Sequence, residues 1–265
     1  VIGGGRRKRK VVHITESGRN QLNSYTEDIP KRRARASSKL KGQLPEYTHV
    51  HGRHSELELI RDALENKVPV HLRGMPGIGK STLARRVAED LIEKGLNVHW
   101  VQLDAYCDVH EAMQRMEADA PQILDVEGYA SSFQHENVAL VFDDVHSISP
   151  RHQESFSSLF RALEHHSIPF MLLGRDRDTF SIDGTYLELG PLEQTDAIEL
   201  LNPELGDERK TIVDALGGHP LAILLHDAST PLPETNLDVR TYVDQVVLGE
   251  ASADVHDAMS PFLVL

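Results

Sequence analysis

From residue 46 to residue 190, short runs of apolar and β-branched residues alternate with stretches whose apolar positions recur every three or four residues. That alternation predicts a parallel α/β sheet flanked by helices. The spacing predicts strands at 68–73, 97–103, 138–143, 169–173 and 185–189, with helices between them. Residues 138–143, VALVFD, are apolar almost throughout, as a strand covered on both faces requires. The first helix, 55–66, carries Leu57, Ile60 and Leu64 on one face and opens with Ser55 and Glu58, a capping-box pair. A second, 81–94, puts Leu83, Val87 and Leu91 on one stripe and stops at Gly95. After Pro191 the strand-like runs end, and helical periods follow at 194–201, 208–216, 221–226 and 239–248. This change predicts an α/β core over 46–190 and a smaller helical domain over 191–250.

Upstream of residue 46 the pattern is different. Residues 3–5 are glycines, residues 6–10 are five consecutive cations, residues 11–14 are mostly β-branched, and Thr15 is placed to cap a helix over 16–24. Residues 28–45 are rich in Pro, Ser and cations without an apolar period, and read as a basic linker. Charge follows the same boundary. The 265 residues carry a net charge of -13, but residues 1–45 hold 12 Lys and Arg against 3 Asp and Glu, and residues 46–265 hold 16 against 38. A basic segment of that density suits a phosphate backbone and an acidic body repels one, so any DNA contact is expected through the N-terminal segment. No apolar run is long enough for a membrane-spanning helix, and no membrane partner is expected. The single cysteine, Cys107, forms no internal disulfide and fits a reducing cytoplasm. Residues 251–265 end within an apolar run and read as the start of a further domain, so the chain is expected to be a window on a longer protein.

The strongest chemical signal is Gly74-Met75-Pro76-Gly77-Ile78-Gly79-Lys80-Ser81, which fits G-x-x-x-x-G-K-[ST] between a predicted strand and a predicted helix. Backbone N–H groups of such a loop, with the positive end of the helix, cradle phosphate oxygens. Gly77 and Gly79 present no Cβ to block the approach. Lys80 is expected to bridge the β- and γ-phosphates, Ser81 to hold Mg²⁺ through its hydroxyl, and Thr82 to reach the α-phosphate. Asp143 and Asp144 close the apolar run of 138–143, at the carboxyl end of a buried strand where open α/β sheets bind ligands. Asp143 is assigned to the Mg²⁺ shell and Asp144 to the attacking water. Arg175, following the strand at 169–173, is the candidate sensor of the γ-phosphate, with Arg177 as the competing candidate. His49, His51 and His54 lack the Cys or carboxylate that would complete a structural metal tetrad, and are read as solvated or capping histidines.

These motifs resemble the nucleotide-binding region of the STAND ATPases, the NB-ARC type of P-loop switch within the AAA-like branch, in a prokaryotic, archaeal-like form. Val50-His51-Gly52-Arg53 with Glu56 resembles the hydrophobic-Gly-Arg-x-x-Glu segment of that family. LVFDDV resembles its paired-acid strand, and LLGRDR its strand-end arginine. Leu189-Gly190-Pro191-Leu192 resembles its junction into the helical lid, and Gly217-Gly218-His219-Pro220-Leu221 its G-x-P-L turn. The resemblance implies a five-stranded sheet of order 5-1-4-3-2 with a C-terminal lid, and ATP or ADP with Mg²⁺ as ligands. It places Val50 and Arg53 on the adenine side and Pro220 against the adenine, beside Gly74, Pro76, Ile78 and the rest of the loop. It also implies a signal-responsive switch with slow hydrolysis and self-association on activation. Residues 1–27 are similar to the wing and last helix of a winged helix-turn-helix, which implies a DNA-binding transcription regulator. Two other readings stay open: a DNA-dependent AAA-type motor or loader, and a module that binds nucleotide without hydrolysing it.

Overall fold

The computed structural model describes residues 40–42, 44–45, 49–116, 125–175, 180–226 and 232. Within them, β1 (Leu40–Gly42), β2 (Val70–Arg73), β3 (Asn97–Gln102), β4 (Val138–Asp143), β5 (Phe170–Gly174) and β6 (Thr185–Glu188) form one sheet in the order β1-β3-β4-β5-β2-β6. All neighbours run parallel. Parallel strands need crossovers, and the helices supply them: α1 (His54–Glu65), α2 (Lys80–Glu93), α3 (Val109–Met116), α4 (Val126–Ser132) and α5 (Gln153–His165).

The five expected strands occur, and from β6 to β3 they follow the expected order 5-1-4-3-2. Their number is corrected to six. β1 lies inside the segment read as a linker and pairs Leu40, Lys41 and Gly42 with Val98, His99 and Trp100 of β3. Among the described residues of this stretch Leu40 and Leu44 pack on the core, and three residues joining an open edge by main-chain bonds leave no hydrophobic period to read. Gly42 has φ +100°, and a Cβ there would stand 1.8 Å from the Trp100 carbonyl oxygen, so the close approach requires glycine.

Burial on both faces explains the composition of β4, whose six residues are all buried. Ala139 and Val141 face α1 and α2, where Ile60, Leu64, Leu83, Val87 and Leu91 pack against Val70, Leu72 and Trp100. Leu140 and Phe142 face the other layer, with Phe156 and Phe160 of α5 and with Tyr129 and Phe133. The Phe142 and Phe160 rings meet edge to face at 5.0 Å between centroids. Truncating a ring so buried costs about 3–5 kcal/mol. The strand's period of two is therefore present in space and hidden in a sequence that is apolar on both sides.

Beyond β6 come α6 (Gln194–Ile198), α7 (Glu208–Ala215) and α8 (Pro220–Leu224), which enclose a core of their own with Ala197, Leu201, Val213, Leu216 and Ile223. The expected helix at 239–248, the winged-helix stretch 1–27 and residues 251–265 lie outside the described residues. Among those described, no helix is long and apolar enough to cross a membrane.

Candidate functional site

Between β2 and α2 the chain turns through Gly74 (φ 153°), Gly77 (φ 71°) and Gly79 (φ 101°), which glycine adopts without a Cβ penalty. Gly79 is the N-cap of α2 and offers no side-chain acceptor, so the first-turn amides are left for an external anion. Nothing lies within 4 Å of where a Cβ on Gly79 would point. The first turn carries no acidic residue. Lys80 is 8% exposed, and its Nζ donates to the carbonyls of Gly74 (3.0 Å) and Met75 (2.9 Å), folded back over the loop. Burial lowers the Lys80 pKa, the nearby Arg175 guanidinium adds to the lowering, and Asp144 and Asp143 oppose it.

β4 delivers Asp143 beside this loop. Its carboxylate accepts from the Ser81 hydroxyl and, at 2.9 Å, from the Asp144 amide. Burial, reinforced by the Asp144 charge, pushes its pKa up to about 6. A desolvated carboxylate touching a serine hydroxyl at the foot of an anion cradle is a donor set fitted to a hard cation, and Mg²⁺ fits it. Asp144 follows in the left-handed region (φ 59°, ψ 38°), unusual for a non-glycine, and this turns its side chain away from the core. Its Oδ2 accepts from Gln102 Nε2 at 3.2 Å, while His146 Nδ1 lies 3.7 Å from Oδ1. Arg175, exposed just past β5, is near enough to Lys80 for its charge to be felt there. Arg177 lies outside the described residues.

The remaining candidates lie where helices α6–α8 meet the α/β core. Gly52 and Arg53 both have φ 63°, a left-handed pair that kinks the chain into α1. A Cβ on Gly52 would stand 2.0 Å from Asp196 Oδ2 of α6. The expected capping box does not form, because Arg53 occupies the N-cap and Ser55 Oγ donates to Glu56 Oε2 instead. The Arg53 guanidinium donates to Glu56 Oε1 at 3.0 Å and to the Gly190 carbonyl. Val50 packs on the core, and His51 Nδ1 lies 3.1 Å from Glu199 Oε2. Further along the chain, Pro220 is the first residue of α8, where a missing N–H costs nothing. The Leu221 N–H donates to the Gly77 carbonyl at 3.3 Å. His219, 2% exposed, has Nε2 at 2.9 Å from the Pro76 carbonyl and accepts from the Ala222 N–H through Nδ1 at 3.3 Å.

The fold thus brings Gly74, Pro76, Gly77, Ile78, Gly79, Lys80, Ser81, Thr82, Asp143, Asp144 and Arg175 to the carboxyl edge of the sheet, with Val50, Arg53 and Pro220 where helices α6–α8 adjoin it. Two polar residues there escaped the sequence reading. Gln102 ends an apolar strand with nothing to mark it; only the register opposite Asp143 reveals its position. His219 did carry a signal, since a polar residue before an N1 proline is an N-cap pattern.

A parallel sheet of this order, with a glycine loop between β2 and α2 and paired acids at the end of β4, one strand removed from β2 across β5, defines a P-loop NTPase fold. Residues 53–139, about a third of the chain, match the model of the family Novel STAND NTPase 3. The chain is therefore similar to STAND-class P-loop ATPases over its nucleotide-loop region. Among solved structures, the STAND protein with a tetratricopeptide repeat sensor from Pyrococcus horikoshii aligns at 18% identity and TM-score 0.54, over 82% of this chain and 34% of that one. The replication initiator DnaA bound to AMPPCP and single-stranded DNA aligns at 16% identity and TM-score 0.44, over 77% of this chain and 63% of that one. Thermotoga maritima RuvB aligns at 19% identity and TM-score 0.42, over 66% and 60%. The chain spans about a third of the length of the Pyrococcus protein. No curated protein matches it with significance.

Proposed function

We propose that residues 46–250 work as an ATP/ADP-dependent switch in which the helical lid responds to what the glycine loop holds. The observation that carries this reading is the seating of the lid on the loop itself, with the Leu221 N–H on the Gly77 carbonyl. A nucleotide bound there would meet α2 and the lid together, and a ligand that favours one arrangement of two elements biases their equilibrium. Gly74, Pro76, Gly77, Ile78, Gly79, Lys80, Ser81 and Thr82 hold phosphates, Ser81 and Asp143 hold Mg²⁺, and Val50, Arg53 and Pro220 border the base. Mg²⁺ would supply charge neutralisation between the phosphates. Asp144 orients water and accepts its proton, and Arg175 faces the terminal phosphate. Hydrolysis is slow in this reading, since unassisted P-loop switches turn over well below once per minute.

The basic segment 1–45 is the part we assign to DNA, on the strength of its charge. The setting is a cytoplasmic regulator that self-associates on activation. The deciding experiment is nucleotide binding by Lys80→Ala. Loss of ADP and ATP binding with retained folding is expected, and wild-type affinity in that variant would overturn the assignment.

A further inference from the structure

His219 spans two elements with one ring. Its Nδ1 accepts from the Ala222 N–H inside the lid, so the second nitrogen must carry the proton, and that nitrogen sits 2.9 Å from the Pro76 carbonyl of the glycine loop. His219 is 2% exposed, so losing either bond leaves a buried polar group without that partner. Next to it, a Cβ on Gly77 would stand 2.5 Å from Leu221 Cδ2, 2.6 Å from Leu221 Cβ and 3.1 Å from His219 Cε1. Loop and lid are therefore closely packed beside the histidine, at Gly77 and Leu221. Pro76 has its φ restrained by its own ring and has no N–H, so its carbonyl is the one main-chain hydrogen-bonding group it can offer to the histidine.

We propose that His219 is a positioning residue that ties the anion-binding conformation of the glycine loop to a docked lid, by donating its Nε2–H to the Pro76 carbonyl. It touches no phosphate in this role. It acts through Pro76, so that the loop keeps the shape that retains nucleotide while the lid is seated, and relaxes when the lid leaves. The inference rests on reading residues 74–82 as a nucleotide site.

The two bonds of the ring can be separated. Asparagine at an N-cap keeps an acceptor for the Ala222 N–H but is too short to reach Pro76, whereas alanine loses both. In the whole chain, dissociation of a fluorescent ADP analogue with Mg²⁺ is measured by stopped flow in wild type, His219→Asn and His219→Ala, with Lys80→Ala alongside. A positioning role predicts that Asn and Ala release the nucleotide alike, about tenfold faster than wild type, with little change in association. A purely capping role predicts wild-type release for His219→Asn and faster release for His219→Ala alone, and that result overturns the proposal. If Ala does not fold, Asn alone decides. If neither folds, His219→Gln decides, since its longer amide reaches Pro76: recovery of folding with slow release supports the proposal, and failure to fold assigns the histidine to stability and overturns it. Wild type that binds no ADP defeats the nucleotide reading instead, whereas binding in wild type with none in Lys80→Ala leaves that reading intact whichever way His219 falls.

Discussion

Gln102 Nε2 donates to Asp144 Oδ2 across 3.2 Å, joining the carboxyl end of β3 to the acid that follows β4. The contact holds in place a carboxylate that is already confined by a left-handed backbone. If Asp144 accepts the proton of attacking water, Asp144→Asn should bind ADP as wild type does and lose roughly a hundredfold or more in single-turnover ATP hydrolysis. Gln102→Ala should lose about tenfold through misplacement of the same group. Unchanged turnover in Asp144→Asn would assign the proton transfer elsewhere and leave room for a module that only binds.

Asp143 makes a prediction about pH. Its carboxyl is raised from 3.8 to about 6, chiefly by burial and then by Asp144. A raised folded-state value means that the neutral form is the one the fold prefers. The stabilisation it contributes is complete below about pH 4 and is lost as pH rises through about 6. Nucleotide-free Asp143→Asn should therefore melt a few degrees above wild type at pH 7.5, with the gap closing below pH 4, as scanning fluorimetry can follow. Mg²⁺-dependent nucleotide affinity has the opposite trend. It should weaken in wild type as pH falls through about 6, and it should be low and flat in Asp143→Asn.

At Gly77 the loop has no space to spare. Alanine there meets Leu221 at 2.5 and 2.6 Å and also needs φ near 71°, so Gly77→Ala should displace α8 from the loop. Hydrogen exchange should show amides of 219–224 losing protection while β4 amides stay protected. Equal loss in both would mean global unfolding and not lid release.

Arg53 carries a structural burden besides the proposed place on the adenine side. Its guanidinium is committed to Glu56 and the Gly190 carbonyl, with a side chain only 10% exposed. Arg53→Ala should lower stability by about 1.5–3 kcal/mol, the range for hydrogen bonds to a charged group, even without nucleotide. Urea unfolding that leaves the midpoint unmoved would show those bonds to be replaceable by water.

Much of the site was legible because its chemistry is local. Lys80 and Ser81 are fixed relative to the glycines by a loop of eight residues, and that loop must sit between strand and helix to offer its amides. Asp143 was legible for another reason: a charged residue ending a continuous apolar run marks where a buried strand surfaces. Gln102 and the Arg53–Gly190 bond were not legible, because register and a contact between residues 137 positions apart leave no periodic trace. β1 was missed on the same ground, since a three-residue edge strand is defined by its neighbour's open hydrogen bonds and not by its own side chains.

The cysteine and the histidines show the same division. Cys107 is buried and its thiol is pushed up to about 11 by burial, a state that a single cysteine in a sequence does not announce. His219 reads in sequence as a cap, and its ring does cap α8. Its second bond goes to a carbonyl 143 residues away. The sequence by itself determined the layered α/β order, the phosphate loop and the paired acids, because hydrophobic period and short motif spacing are properties of neighbouring residues. Tertiary structure alone decided the sixth strand, the Arg53 bond to Gly190 and the contact of α8 with the glycine loop. Those depend on which open edges and unpaired backbone groups meet once the chain has folded, and in a closely packed interior only one arrangement satisfies them all.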